Sequence, residues 1–133
     1  MAWRYLDVVD FLLTAEAVLA IPAEDLARVG RLELAASALH APGAEFGGVE
    51  FSPDLARKTA VLASRLIGNH PLPGGNKVVG YLCALEFIVR NGGTWTHPHD
   101  DLEGDETVAI IEGVAAGTVD EDELAVWIAQ RLA

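Results

Sequence analysis

The sequence predicts an all-α protein, a helical bundle interrupted by one short β-hairpin. Three observations carry this. Apolar residues recur at helical spacing through most of the 133 residues. The breaks between those stretches hold Pro, Gly or an Asp/Ser cap, the residues that start and stop helices. Only Ala44 to Phe51 alternates, and it does so around a Gly-Gly pair.

The elements follow in order. Leu6 to Ala20 carries a stripe of Leu6, Val9, Leu13, Ala17 and Ala20, and Pro22 ends it. Pro22-Ala23-Glu24-Asp25 opens a short helix, with proline first and acids in its first turn. Gly30 breaks that piece, and Arg31 to His40 forms the next helix, stopped by Pro42-Gly43. Phe46-Gly47-Gly48 followed by Val49-Glu50-Phe51 reads as a hairpin or extended flap. One such hairpin is marginal in water, so it must lean on the helices or on a partner strand. Ser52 and Pro53 fit the N-cap and first position of a helix running to about Gly68, with Leu55, Thr59, Leu62 and Leu66 as its stripe. Asn76 to Arg90 is apolar on most faces, which puts it at the centre of the core, and Asn91-Gly92-Gly93 terminates it. Thr94 to Gly104 is a loop, Glu106 to Ala116 a helix ended by Gly117, and Asp120 caps a last helix ending near Leu132.

Composition bounds the function. A single domain over residues 1–133 can bury a real core. The net charge of -11 argues against direct nucleic-acid binding and against an anionic membrane, since both need Lys and Arg to neutralise phosphates. It suits a basic protein partner, or simply solubility. No apolar run is long enough to span a bilayer. Phe11 to Ile21 lacks the flanks of a signal peptide, and Cys83 has no partner for an internal disulfide. A cytoplasmic location is the expectation.

The chemistry concentrates in Asn69-His70-Pro71-Leu72-Pro73-Gly74-Gly75-Asn76-Lys77. His70 can act as a general base near neutral pH, or can simply end a helix. Gly74-Gly75-Asn76-Lys77 opens a helix, where unpaired amides and the dipole favour an anion, although glycines there also merely turn the chain. It is not a Walker A loop, because no Gly-Lys-Ser/Thr is present.

Together these residues resemble the Fic/Doc (death-on-curing) family. Its motif reads His-Pro-Phe-x-Asp/Glu-Gly-Asn-Lys/Gly-Arg, and this chain has His70-Pro71-Leu72-Pro73-Gly74-Gly75-Asn76-Lys77-Val78. Arg31-Leu32-Glu33-Leu34-Ala35-Ala36-Ser37-Ala38-Leu39 is similar to the family's G-x-Leu-x-x-x-x-Ser-Ala-Leu helix, and Phe46-Gly47-Gly48 to its flap. Lys77 and the short chain resemble the Doc branch. The likeness implies a Fic-fold helical bundle in which His70 takes the proton of a target hydroxyl. It implies that Gly75, Asn76 and Lys77, with Asn69 beside them, bind nucleotide phosphates. It implies ATP and Mg²⁺ as cofactors and a flap of Phe46, Gly47, Gly48 and Val49 that docks the target by strand addition. Doc-like toxins transfer phosphate to a threonine of elongation factor Tu, halting translation, and a Phd-like antitoxin silences them. Typical Fic proteins transfer AMP instead.

Three positions depart from the motif, of which Leu72 for Phe is mild because both fill an apolar anchor. Gly74 stands where the metal-binding acid belongs, and Val78 where the arginine belongs. Phosphoryl transfer rests on positioning and charge neutralisation, so the chain is expected to be impaired. A non-catalytic Fic-fold module that binds an antitoxin is the alternative. Asp100 or Asp101 could replace the missing ligand. His97-Pro98-His99-Asp100-Asp101 could also bind a divalent metal, or be a solvated loop. Asp120-Glu121-Asp122-Glu123 is most simply an acid-rich helix start.

Overall fold

The computed structural model describes residues 2–96 and 104–133, with the side chains of residues 104 and 105 left aside. The His97 to Asp101 stretch lies outside the described residues. The elements are helices α1 (Val8–Leu19), α2 (Ala23–Val29) and α3 (Leu32–His40), a 3-10 turn (Ala41–Gly43), strands β1 (Glu45–Phe46) and β2 (Val49–Glu50), and helices α4 (Leu55–Asn69), α5 (Asn76–Arg90), α6 (Gly104–Ala116) and α7 (Glu121–Ala129). The predominantly helical architecture with one small antiparallel hairpin therefore matches the expectation.

α1 starts later than the apolar pattern suggests because Asp7 and Asp10 form a reciprocal capping box. The expected stripe also faces the other way in part. Phe11 and Ala15 are buried, whereas Val9 and Leu13 are exposed. With apolar residues on both sides, spacing alone cannot choose the buried face. The helix capped by Ser52 and Pro53 in the sequence reading begins instead at Leu55. Asp54 is its N-cap, accepting from the Arg57 N–H at 2.8 Å. A carboxylate at the positive end of a helix makes a stronger cap than a hydroxyl, and Ser52 stays behind, buried in the bend. α5 has the expected bounds. α7 stops at Ala129, and the chain beyond pairs through Trp95 and Leu132.

α4 and α5 are the wall between two apolar clusters. One cluster joins Phe11, Leu26, Ala35 and Leu39 from α1 to α3 with Leu62, Leu66, Val79 and Phe87. The other joins Ile67, Ala84 and Ile88 with Ile111, Leu124, Trp127 and Ile128 from α6 and α7. α3 and α4 run antiparallel. The Asn69 amide donates to Leu34 O at one end, and Lys58 Nζ donates to Pro42 O at the other. This arrangement carries the connection out of α4 into the open start of α5.

Candidate functional site

The loop between α4 and α5 is closed on itself. His70 ends α4 in the left-handed conformation, with φ 48° and ψ 57°. This is uncommon for a residue with a side chain. It leaves the imidazole exposed and turns Pro71 and Leu72 inward, where both are buried. The Arg31 N–H donates to Pro71 O at 2.7 Å, anchoring the loop on the start of α3. The loop then returns to α5 through one side chain: Leu72 N–H donates to Asn76 Oδ1 at 2.9 Å, and Asn76 Nδ2 donates to Leu72 O at 2.9 Å.

Gly75 opens α5 with φ 76° and no side-chain cap. The positive φ favours glycine, and a Cβ there would sit 2.5 Å from Leu19 Cδ2, so the end of that side chain would have to shift. The first-turn amides of α5 therefore face outward without a capping side chain, the arrangement that receives an anion. Lys77 does not point its charge there freely, since its Nζ pairs with Glu112 Oε1 at 2.9 Å. Gly74 has no atom within 4 Å of a Cβ built on it. Val78 is 52% exposed.

Asn69, His70, Gly74, Gly75, Asn76, Lys77 and Val78 thus share one short loop and the helix turns at either side of it. The side chains of Asn69 and Asn76 hold the loop in shape, which leaves the backbone amides of the α5 start as the groups that could meet phosphate. The flap stands elsewhere. Phe46, at 79% exposure, faces Val49 across the strand pair, and Gly47 and Gly48, both at positive φ, make the turn. Its base is fixed at the first turn of α4, whereas His70 follows the last, about 18 Å further along the axis from Lys58 at 1.5 Å per residue.

What fixes the flap is a residue that sequence reasoning passed over. Lys58 is fully buried. Its Nζ donates to Glu50 Oε1 at 2.8 Å, to Pro42 O at 2.9 Å and to Tyr5 Oη at 3.0 Å. It also lies 4.9 Å from the Trp3 ring centre. Burial pulls the ammonium pKa down, but the hydrogen bonds to Glu50 and Tyr5 outweigh it and hold the group above its ordinary value. Spacing offered a signal: Lys58 lies on the apolar side of α4, in line with Leu55 and Leu62. Glu112, the partner of Lys77, had none, because only the fold brings α6 to that point.

Cys83 is excluded as a nucleophile. Burial pushes its thiol up to about 12, so it stays protonated. Among the described residues no three His, Cys, Asp or Glu side chains stand close enough to hold a metal ion. Among them no helix is long and apolar enough to cross a membrane.

No protein-family model matches the chain, and no curated protein matches it.

Proposed function

We propose that the chain is a Doc-like toxin of the Fic fold whose catalytic loop is disarmed. In this reading the ancestral reaction moves phosphate from ATP to a Ser/Thr hydroxyl of an elongation factor Tu-like protein, and a Phd-like antitoxin is the natural partner. One observation carries it: an exposed histidine and an uncapped, glycine-opened helix start share a single latched loop, in the order His70-Pro71-x-x-x-Gly75-Asn76-Lys77. His70 would take the hydroxyl proton, and the first-turn amides of α5 would receive the phosphate. ATP would supply the phosphoryl group. Mg²⁺ does not fit the residues present, since Gly74 offers no carboxylate, and no step is assigned to it.

The test restores the two missing groups. The space around Gly74 and the exposure of Val78 make Gly74→Asp with Val78→Arg sterically acceptable. The double variant, given labelled ATP and the elongation factor, is expected to label a hydroxyl and to slow growth. The parent chain is expected to be weaker by on the order of 10²–10³ or more. A double variant that folds, labels nothing and leaves growth unchanged refutes the reading. The mass added to the target separates phosphate from AMP.

The absent charges at Gly74 and Val78 favour a second reading, a non-catalytic module that keeps the flap and binds an antitoxin. Calorimetry with ATP and Mg²⁺ on the parent chain distinguishes the two. Micromolar nucleotide binding counts against the module, and none counts for it.

A further inference from the structure

A groove of about 580 Å³ lies between α3, α4 and the start of α7, beside the base of the flap. It is separate from the His70 loop and from any activity there. Its volume is in the range of small-molecule sites. Its floor is apolar, with Ala41, Ala44 and Val61, and Arg57 and Arg65 rise from α4 on one side. Because α3 and α4 are antiparallel, His40 at the end of α3 and Ser52 ahead of α4 both lie at the Arg57 end. Ser52 is 5% exposed. Phe51, exposed, forms the adjoining wall.

The groove already takes anions. Arg57 pairs with Asp122, and Arg65 Nε donates to Glu121 Oε2 at 2.7 Å. Both acids come from the first turn of α7, so the chain fills its own cationic groove with carboxylates. These are exposed pairs, and such pairs are weak. A phosphate dianion bonds an arginine fork more strongly than a carboxylate does and can use a hydroxyl and an imidazole as well. On a chain of net charge -11, most of the surface repels such a ligand, which leaves this groove as a selective place for it.

We infer that this groove binds a phosphomonoester carried on an aromatic or other flat group, with the phosphate on Arg57, His40 and Ser52 and the flat group against Phe51. Asp122 is the competitor that the ligand displaces from Arg57.

The test is amide NMR titration of the full chain with phenyl phosphate, with inorganic phosphate and phenol as the two halves of the probe. Saturable shifts at Phe51, Ser52, Arg57 and His40 are expected with phenyl phosphate. Inorganic phosphate should bind the same residues more weakly, and phenol should not bind. Arg57→Gln should weaken phenyl phosphate by about tenfold, the worth of one charge-assisted hydrogen bond. Asp122→Asn should tighten it a few-fold, which a merely structural arginine would not produce. No saturable binding, equal binding by a folded Arg57→Gln, or unchanged affinity in Asp122→Asn would each overturn the inference. A tyrosine-phosphorylated peptide and uridine 5′-monophosphate separate the sources of the shared chemistry. Displacement of phenyl phosphate by either supports the site, and displacement by neither overturns it.

Discussion

Replacing Asn76 by alanine removes the latch of the α4–α5 loop. Two hydrogen bonds of 2.9 Å disappear, and they join the side chain to both the N–H and the C=O of Leu72. Leu72 is buried, so its backbone groups do not simply turn to water. Each bond contributes about 1 kcal/mol net, and an orphaned buried group costs about 1–3 kcal/mol, so a loss of ~2–3 kcal/mol is expected. In a domain of this size ~2 kcal/mol corresponds to a fall of ~7 °C in Tm, from a typical unfolding entropy per residue. Two measurements check this: urea or thermal denaturation followed by circular dichroism, and hydrogen exchange at the Leu72 amide, which should accelerate with it. Asn76→Asp sharpens the result. It keeps an acceptor for the Leu72 N–H but loses the donor to Leu72 O, so it should fall between parent and alanine. If Asn76→Ala lies within about 0.5 kcal/mol of the parent, the latch is decorative. The Asn76 side chain would then be free to meet phosphate beside the backbone amides.

Three further outcomes follow from the same geometry. Lys58→Ala leaves the Tyr5 hydroxyl, Pro42 O and part of Glu50 without their partner, and should cost about 3–5 kcal/mol. Glu50→Gln keeps a neutral acceptor and should cost less, while speeding exchange of the Phe51 amide at the flap base. Gly75→Ala combines positive φ with contact on Leu19 and should cost about 2 kcal/mol or more, whereas Gly74→Ala, one residue away in open space, should stay within about 0.5 kcal/mol. Asp10 is held below its ordinary pKa of 3.8 chiefly by the hydrogen bond from Arg90. Its folded form releases the proton more readily than the unfolded chain, so its contribution is present above pH 3.8 and is lost as pH falls through the lowered value. Acid titration of stability in Arg90→Gln should show a flatter limb below that pH than the parent.

The sequence was most legible where local rules decide. The Gly47-Gly48 turn, the bounds of α5 and the Asp120 cap each follow from residues next to one another. It was least legible where a choice between equals falls to packing. α1 has apolar residues on two sides, and only its contacts with α2, α3 and α5 decide that Phe11 and Ala15 go inward while Val9 and Leu13 do not. The candidate loop was half legible. Its residues were named correctly as neighbours, because a short segment between two helices must hold them together. The work of their side chains was not, because Asn69 answers to Leu34 and Lys77 to Glu112, each 35 residues distant.

That division bears on what the motif means in this chain. Two of the residues that carry the resemblance, and the leucine that stands for the motif's phenylalanine, have structural duties. Asn76 closes the loop, Gly75 suits its positive φ and its contact with Leu19, and Leu72 fills the core beneath. The two positions that have lost a charge, Gly74 and Val78, touch little and face solvent. A chain that no longer used the loop for chemistry would still keep the first set, because losing any of them costs stability, and could lose the second set without penalty. The surviving part of the motif therefore weighs for the fold of the loop more than for its activity. His70 is the informative residue between these sets. Its left-handed backbone is strained for histidine and natural for glycine or asparagine, so His70→Gly should stabilise the protein or leave it unchanged. If stability rises in His70→Gly, folding does not explain the histidine, and the restored double variant becomes the decisive place to look for its use. If stability falls, the imidazole holds the loop in place, and the module reading gains.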